Sequence, residues 1–384
     1  MQNIKTGQLI LAAILAIFVY GVIAAMLGTI MPTFKLTPEQ NGNVALAQAI
    51  GLVIASVSVG PLIDAKGKKT ALVLGLGIIS AALFGLPNAG GYGAILATMF
   101  GLGFGGGVIV TAANALASDI GEERRASVLN LLNLFFGLGG LATPLIAANF
   151  LHGNAVALCY LAAVLAAGTF ILHIATPMPA PAGGQSFKAA EAGKVLGRPT
   201  LYLLALFLFL YVACEVGVWN WLASYLMSRG IPEKSALNIL SLGFALGILI
   251  GRVVVSRILI NVPAINVTLA AAVLMAVTTY LMLNTSDPTV AWIAVFCAGL
   301  SMAPVFPTTL AMVGDAFPRM TATAMGIVIT CGWIGLAVSS PIIGAMAGAN
   351  SANLRSALLI IPGFSVAMIL LNLALRPALK SHTA

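Results

Sequence analysis

Charge is what this sequence has least of. Only 7% of its 384 residues are Asp, Glu, Lys or Arg, against 60% hydrophobic, whereas a water-soluble domain carries about a quarter charged residues to keep its surface in water. That shortage excludes an ordinary soluble protein, and the solvent around most of the chain must be lipid. Histidine is scarce as well. His173 is expected at a helix end, His152 in a loop and His382 in a tail, all three in solvent. The four cysteines, Cys159, Cys214, Cys297 and Cys331, sit in apolar stretches with no paired spacing, which argues against disulfides or a metal site and for small buried packing residues. No nucleophile–base pair, phosphate loop or metal-ligand cluster is discernible, so no enzyme activity, cofactor or metal is expected.

The formal net charge is +8, and its distribution matters more than its size. Of the 18 lysines and arginines, only Lys35, Arg229, Lys234 and Arg355 fall on one side of the expected membrane; the rest, Lys66, Lys68, Lys69, Arg252 and Arg257 among them, fall on the other. Positive residues collect on the cytoplasmic side, so both termini are expected there. The basic balance is thus a topology signal and does not imply nucleic acid. One lysine precedes the first long apolar run, with no compact core and cleavage site behind it, and the run reads as a first span rather than a removed signal peptide.

What is abundant is apolar sequence in pieces of one length. Segments at 8–31, 43–63, 70–87, 92–117, 128–150, 154–175, 200–226, 236–257, 266–283, 290–313, 322–347 and 355–375 each approach the roughly 20 residues that cross a bilayer. Backbone in lipid must satisfy its own hydrogen bonds, so the segments are helices and the fold is an all-α membrane protein with twelve transmembrane helices. One connection is long. Residues 176–199, rich in Pro, Gly and Ala, read as a cytoplasmic linker between an N-terminal six-helix half (1–175) and a C-terminal half (200–384).

The halves repeat weakly. Phe18 and Tyr20 match Phe209 and Tyr211, Gly60 matches Gly251, and Asp119 matches Asp315, all at nearly one spacing. Two pseudo-symmetric six-helix halves are the architecture of many transporters, which hold substrate between the repeats near the midplane.

Between the second and third segments the chain reads Gly60-Pro-Leu-Ile-Asp64-Ala-Lys66-Gly67-Lys68-Lys69. This resembles the signature loop of the major facilitator superfamily: a glycine, an aspartate four residues later, then a glycine flanked by basic residues. The resemblance implies the major facilitator fold. It also implies a conformational latch built from Gly60, Asp64, Gly67 and Lys68, in which the glycine allows close helix approach and the charges bridge neighbouring helix ends in one state. Positive-inside decoration would account for the lysines but not for the Gly/Asp spacing. The counterpart at Gly251-Arg252 lacks the aspartate.

Three further stretches resemble the fucose–galactose–glucose/proton symporter family within that superfamily. They are Tyr211-Val-Ala-Cys-Glu215-Val-Gly-Val-Trp219-Asn220 in the seventh segment, Pro304-Val-Phe306-Pro307-Thr308 in the tenth, and Leu129-Asn130-Leu-Leu-Asn133 with Gly137 and Gly139 in the fifth. The resemblance implies a neutral sugar or polyol-like substrate. The acids that the family's fucose permease carries in helices one and four have no counterpart: Ala24 stands where the repeat would pair Glu215, and the fourth segment offers Asn114.

Glu215 is the only acidic residue deep in any apolar segment; Glu39, Asp64, Asp119, Glu122, Glu123, Glu191, Glu233, Asp287 and Asp315 lie in loops or at segment ends. A mid-span acid costs about 2.5–3.5 kcal/mol to insert and such residues usually face a cavity. No basic partner is evident at its depth, and a neutral Glu bonded to a neighbouring helix is the competing structural role. Tyr211, Glu215 and Trp219 recur every four residues and share a helix face. An acid flanked by aromatics suits a sugar, whose hydroxyls bond the carboxylate while its C–H face lies on a ring. Asn220, Gln48, Asn114, Asn133, Phe306, Thr308, Thr330 and Trp333 complete the candidate substrate-binding set.

The expectation is therefore a multi-pass protein of the plasma membrane, the inner membrane of a bacterium. It would act as a monomer in the lipid bilayer and carry a small-molecule solute in symport with a proton, or sodium in its place. The two halves would rock about a central site. An exporter of amphipathic compounds and a non-transporting solute sensor remain open at this point.

Overall fold

The structure, a computed structural model, describes residues 6–120, 125–178, 196–285, 287–317 and 321–380. Among these, twelve helices are long and apolar enough to cross a membrane: α1 (Thr6–Phe34), α2 (Pro38–Gly60), α3 (Ala65–Asn88), α4 (Tyr92–Ala117), α5 (Leu132–Asn149), α6 (Ala155–Ala175), α7 (Pro199–Ser228), α8 (Glu233–Val255), α9 (Ala264–Asn284), α10 (Thr289–Ala316), α11 (Ala324–Ala347) and α12 (Ser351–Leu379). No strand occurs among the described residues. Large apolar side chains such as Leu11, Val57, Ile171 and Leu370 are exposed, as lipid-facing surfaces require.

The chain separates into two compact units, the first comprising Met1–Lys35 and Asn43–Gln185, the second Leu36–Gly42 and Ser186–Ala384. Most of the linker, residues 179–195, lies outside the described residues. A division at the linker assigns the first turn of α2 to the first half, but contacts place it in the second unit. There the Glu39 amide donates to the Gly348 carbonyl at 3.3 Å. Gly42 and Gly344 leave no room for a Cβ against the carbonyls of Ser340 and Pro38.

Each unit is assembled by the same close approaches. In the first, α1 packs chiefly on α5, and also on α4 and α6; in the second, α7 packs chiefly on α11, and also on α12 and α10. A Cβ on Gly139 would run into the Phe18 carbonyl, as one on Gly335 would run into that of Phe209. Between α2 and α4, Gly103 lies on the Gln48 carbonyl and Gly51 on that of Phe100. Between α8 and α10, Gly299 lies on the Phe244 carbonyl and Gly247 on that of Phe296. Lipid offers no hydrophobic drive between helices, so contact depends on backbones coming close enough for dispersion, and glycine permits it.

This packing corrects one sequence match. Gly107 sits on Ala55 and Leu52 as Gly251 sits on Ala303 and Leu300, so the structural counterpart of Gly251 is Ala55. Gly60 has nothing within 4 Å of an added Cβ, so the close approach expected of it is not made here.

Three local irregularities bear on the site. The α2–α3 connection is a single kink at Gly67 (φ 86°, ψ 161°), a backbone shape that only a residue without Cβ adopts cheaply. A π-helical stretch, Ile239–Ala245, interrupts α8; such turns are rare and recur at functional sites. The third is a break in α10 between Met302 and Val305, where Pro304 can donate no N–H.

Candidate functional site

The second unit holds the richest polar cluster, on α7. Its 30 helical residues carry one acid, Glu215, on an otherwise apolar body. The back of the helix is pinned. Gly217 rests on Ile361 and Ile343, Cys214 Sγ donates to the Ile361 carbonyl at 3.5 Å, and Asn220 Nδ2 donates to Ser340 Oγ at 2.9 Å. With that side held, the Tyr211–Glu215–Trp219 face is fixed in rotation.

On that face Tyr211 is wholly buried, while Glu215 and Trp219 are half-buried. The Tyr211 hydroxyl has no hydrogen-bond partner of regular geometry, yet two charges act on it: the Glu215 carboxylate one turn on and the Arg252 guanidinium from α8. Arg252 lies inside span α8 and its charge reaches the middle of α7, where low polarity makes it felt. Trp219 meets Phe244, which belongs to the π-helical stretch, edge-on with centroids 5.2 Å apart at 76°. A carboxylate, a buried phenol and an aromatic wall thus converge on one face, with a guanidinium acting on the phenol. Such a set can grip hydroxyls and a C–H surface together.

The other candidates in this unit are dispersed. Thr308, four residues past the Pro304 break, is buried with its hydroxyl unpartnered. Phe306 and Trp333 are half-buried. Thr330 Oγ1 donates to the Gly326 carbonyl of its own helix at 2.8 Å. Asn220 faces α11 through Ser340, not the Glu215 face.

In the first unit Gln48 is half-buried, Asn133 is exposed, and Asn114 Nδ2 donates to the Val110 carbonyl of its own helix at 2.7 Å. Tyr20, the repeat mate of Tyr211, stacks obliquely on Phe136 with centroids 5.2 Å apart. Of the latch residues, Gly60 is in open surroundings, Gly67 forms the kink and Lys68 is half-buried. The Asp64 side chain lies outside what the structure describes. Lys69, next along, donates from Nζ to the Ile174 carbonyl at 2.7 Å, capping the end of α6.

Two placements differ from expectation. His173 is fully buried, with Nδ1 2.7 Å from the Thr169 carbonyl, because α6 continues past it and the ring turns inward. Cys297 is exposed on the surface of α10 rather than buried, since its helix turns that side outward. Sequence reasoning also missed Arg252 and Phe244 as members of the cluster. The available signal was the Gly243, Gly247, Gly251 spacing, which ties α8 to α10.

The model of the Major Facilitator Superfamily matches residues 9–340 and 235–383, and the chain belongs to that family. It is a multi-pass membrane transporter by that membership and by its twelve apolar helices. It is 21% identical over 381 residues to Bypass of stop codon protein 6 of Saccharomyces cerevisiae, covering 88% of this chain and 76% of the relative. It is 23% identical over 358 residues to the Protein TsgA homolog of Yersinia pseudotuberculosis, covering 91% and 89%. Among solved structures, the nucleoside transporter NupG superposes with TM-score 0.78 at 15% identity, over 96% of this chain and 98% of that one. A D-xylose-proton symporter gives 0.75 at 13% identity over 93% and 96%. The Escherichia coli fucose:proton symporter gives 0.67 at 18% over 95% and 98%. These likenesses establish the fold.

Proposed function

We propose that this transporter carries a small neutral polar solute, a sugar or sugar-like compound, in symport with a proton. The observation that carries the reading is the α7 face: a lone mid-span carboxylate, half-buried, between a buried phenol and an indole braced edge-on. An ionisable group at that depth is costly unless it works, and a carboxylate that gains and loses a proton is a simple coupling device. The nucleoside transporter and the two sugar symporters named above, whose substrates share polyhydroxylated rings, agree with this substrate class.

Glu215→Gln tests the reading, because glutamine keeps the shape but cannot ionise. In proteoliposomes the variant should lose uphill, proton-driven accumulation and retain exchange of labelled solute across the bilayer. Undiminished gradient-driven accumulation would overturn the proton role. Unaltered affinity for every sugar, polyol and nucleoside in a binding screen would overturn the substrate role.

A further inference from the structure

We propose that the groove between α3 and α6 in the first unit is a binding site for one anionic phospholipid, its phosphate on Lys69 and an acyl chain along the apolar floor. The groove is an open crease of about 720 Å³, lined by Lys69 and Thr70 at one end, then by Leu74, Gly77, Phe170 and Ile174. Everything along its length except that end is apolar. From Lys69 to Ala81, the far lining residue on α3, twelve helical steps cover roughly 18 Å. That is close to the depth of one leaflet, about half of a 30 Å hydrocarbon core. The cation therefore stands at the headgroup level while the groove runs toward the midplane.

Two details favour a ligand over a chance crease. Gly77 opens the floor, since a Cβ there would already touch the Phe170 ring at 3.3 Å. Lys69 is held in place by its Nζ bond to the Ile174 carbonyl, which uses one ammonium proton and leaves two. Lys66 and Lys68 stand beside it in sequence and raise the local positive potential. A second open groove of about 510 Å³, between α9 and α12 in the other unit, is lined by Tyr280, Leu281, Pro362 and Gly363 among others, with no cation. Apolar creases between helices thus occur in both units, and the ammonium group distinguishes this one.

The test is native mass spectrometry of the full chain in neutral detergent, titrated with phosphatidylglycerol and with phosphatidylcholine of the same acyl chains. Wild type should retain phosphatidylglycerol in preference. Lys69→Gln should lower that retention about fivefold, the effect of one lysine near an anionic headgroup, while Lys69→Arg should restore it. Gly77→Leu fills the floor without touching charge and should lower retention of both lipids. Equal retention of the two lipids by wild type overturns the proposal, as does a preference that survives Lys69→Gln or full retention by Gly77→Leu. None of these readouts depends on the transported solute.

Discussion

Trp219 and Phe244 meet edge-on at 5.2 Å, one ring from the midst of α7 and the other from the π-helical stretch of α8. An edge-to-face pair is worth about 0.5–1.5 kcal/mol beyond its buried area. The extra residue of a π-turn shifts the register of α8, which brings Phe244 to the indole. Trp219→Ala should therefore lower thermal stability and, with the indole as the solute's aromatic wall, raise the apparent KM for the solute, with Trp219→Phe retaining most of the affinity. Initial uptake rates against concentration measure it. An unchanged KM in the alanine variant would remove the indole from the site.

Arg252 and Glu215 should behave as a coupled pair, since both act on the Tyr211 hydroxyl. Glu215→Gln and Arg252→Gln should each impair accumulation. Together they should do so by less than the product of the single effects, with an interaction of about 0.5 kcal/mol or more. Strict multiplicativity in the double-mutant cycle would mean that the two charges do not sense one another.

Asn220→Ala removes the bond to Ser340. Interhelical polar bonds in membranes average about 0.6 kcal/mol, so Tm should fall modestly. Because Asn220 faces α11, solute affinity should hold. A large affinity loss at unchanged Tm would return Asn220 to the substrate-binding set.

Gly299→Val forces a branched side chain onto the Phe244 carbonyl and should cost about 1–3 kcal/mol, read as lost thermal stability in detergent. Gly60→Ala enters open space and should leave stability unchanged or raise it slightly. At the same kink, Asp64→Asn should slow turnover with solute affinity little altered, as a latch predicts. Wild-type turnover in that variant removes the latch.

The twelve helices were legible because lipid imposes one rule on every span: apolar length near 20 residues with internally satisfied backbone. Glu215 was legible for the same reason, as charge stands out where it is costly. Arg252 was not, because a linear reading places it near a segment end, and only the long side chain and the packing of α8 bring its charge to Tyr211. The burial of His173 depended on which way a helix end turns. The Gly60–Gly251 match failed because a five-residue shift in register is invisible in two glycine-rich strings, whereas the backbone that Gly107 and Gly251 each touch is unambiguous.

The sequence by itself determined the solvent, the helix count and the one acid at depth, since each follows from local composition against the cost of burial in lipid. Tertiary structure decided the rest. It paired Trp219 with Phe244 and turned Asn220 to Ser340. It also brought Arg252 to Tyr211 and set Lys69 at the mouth of a groove. These relations depend on helix rotation and close approach between segments far apart in the chain, quantities that no stretch of residues encodes alone.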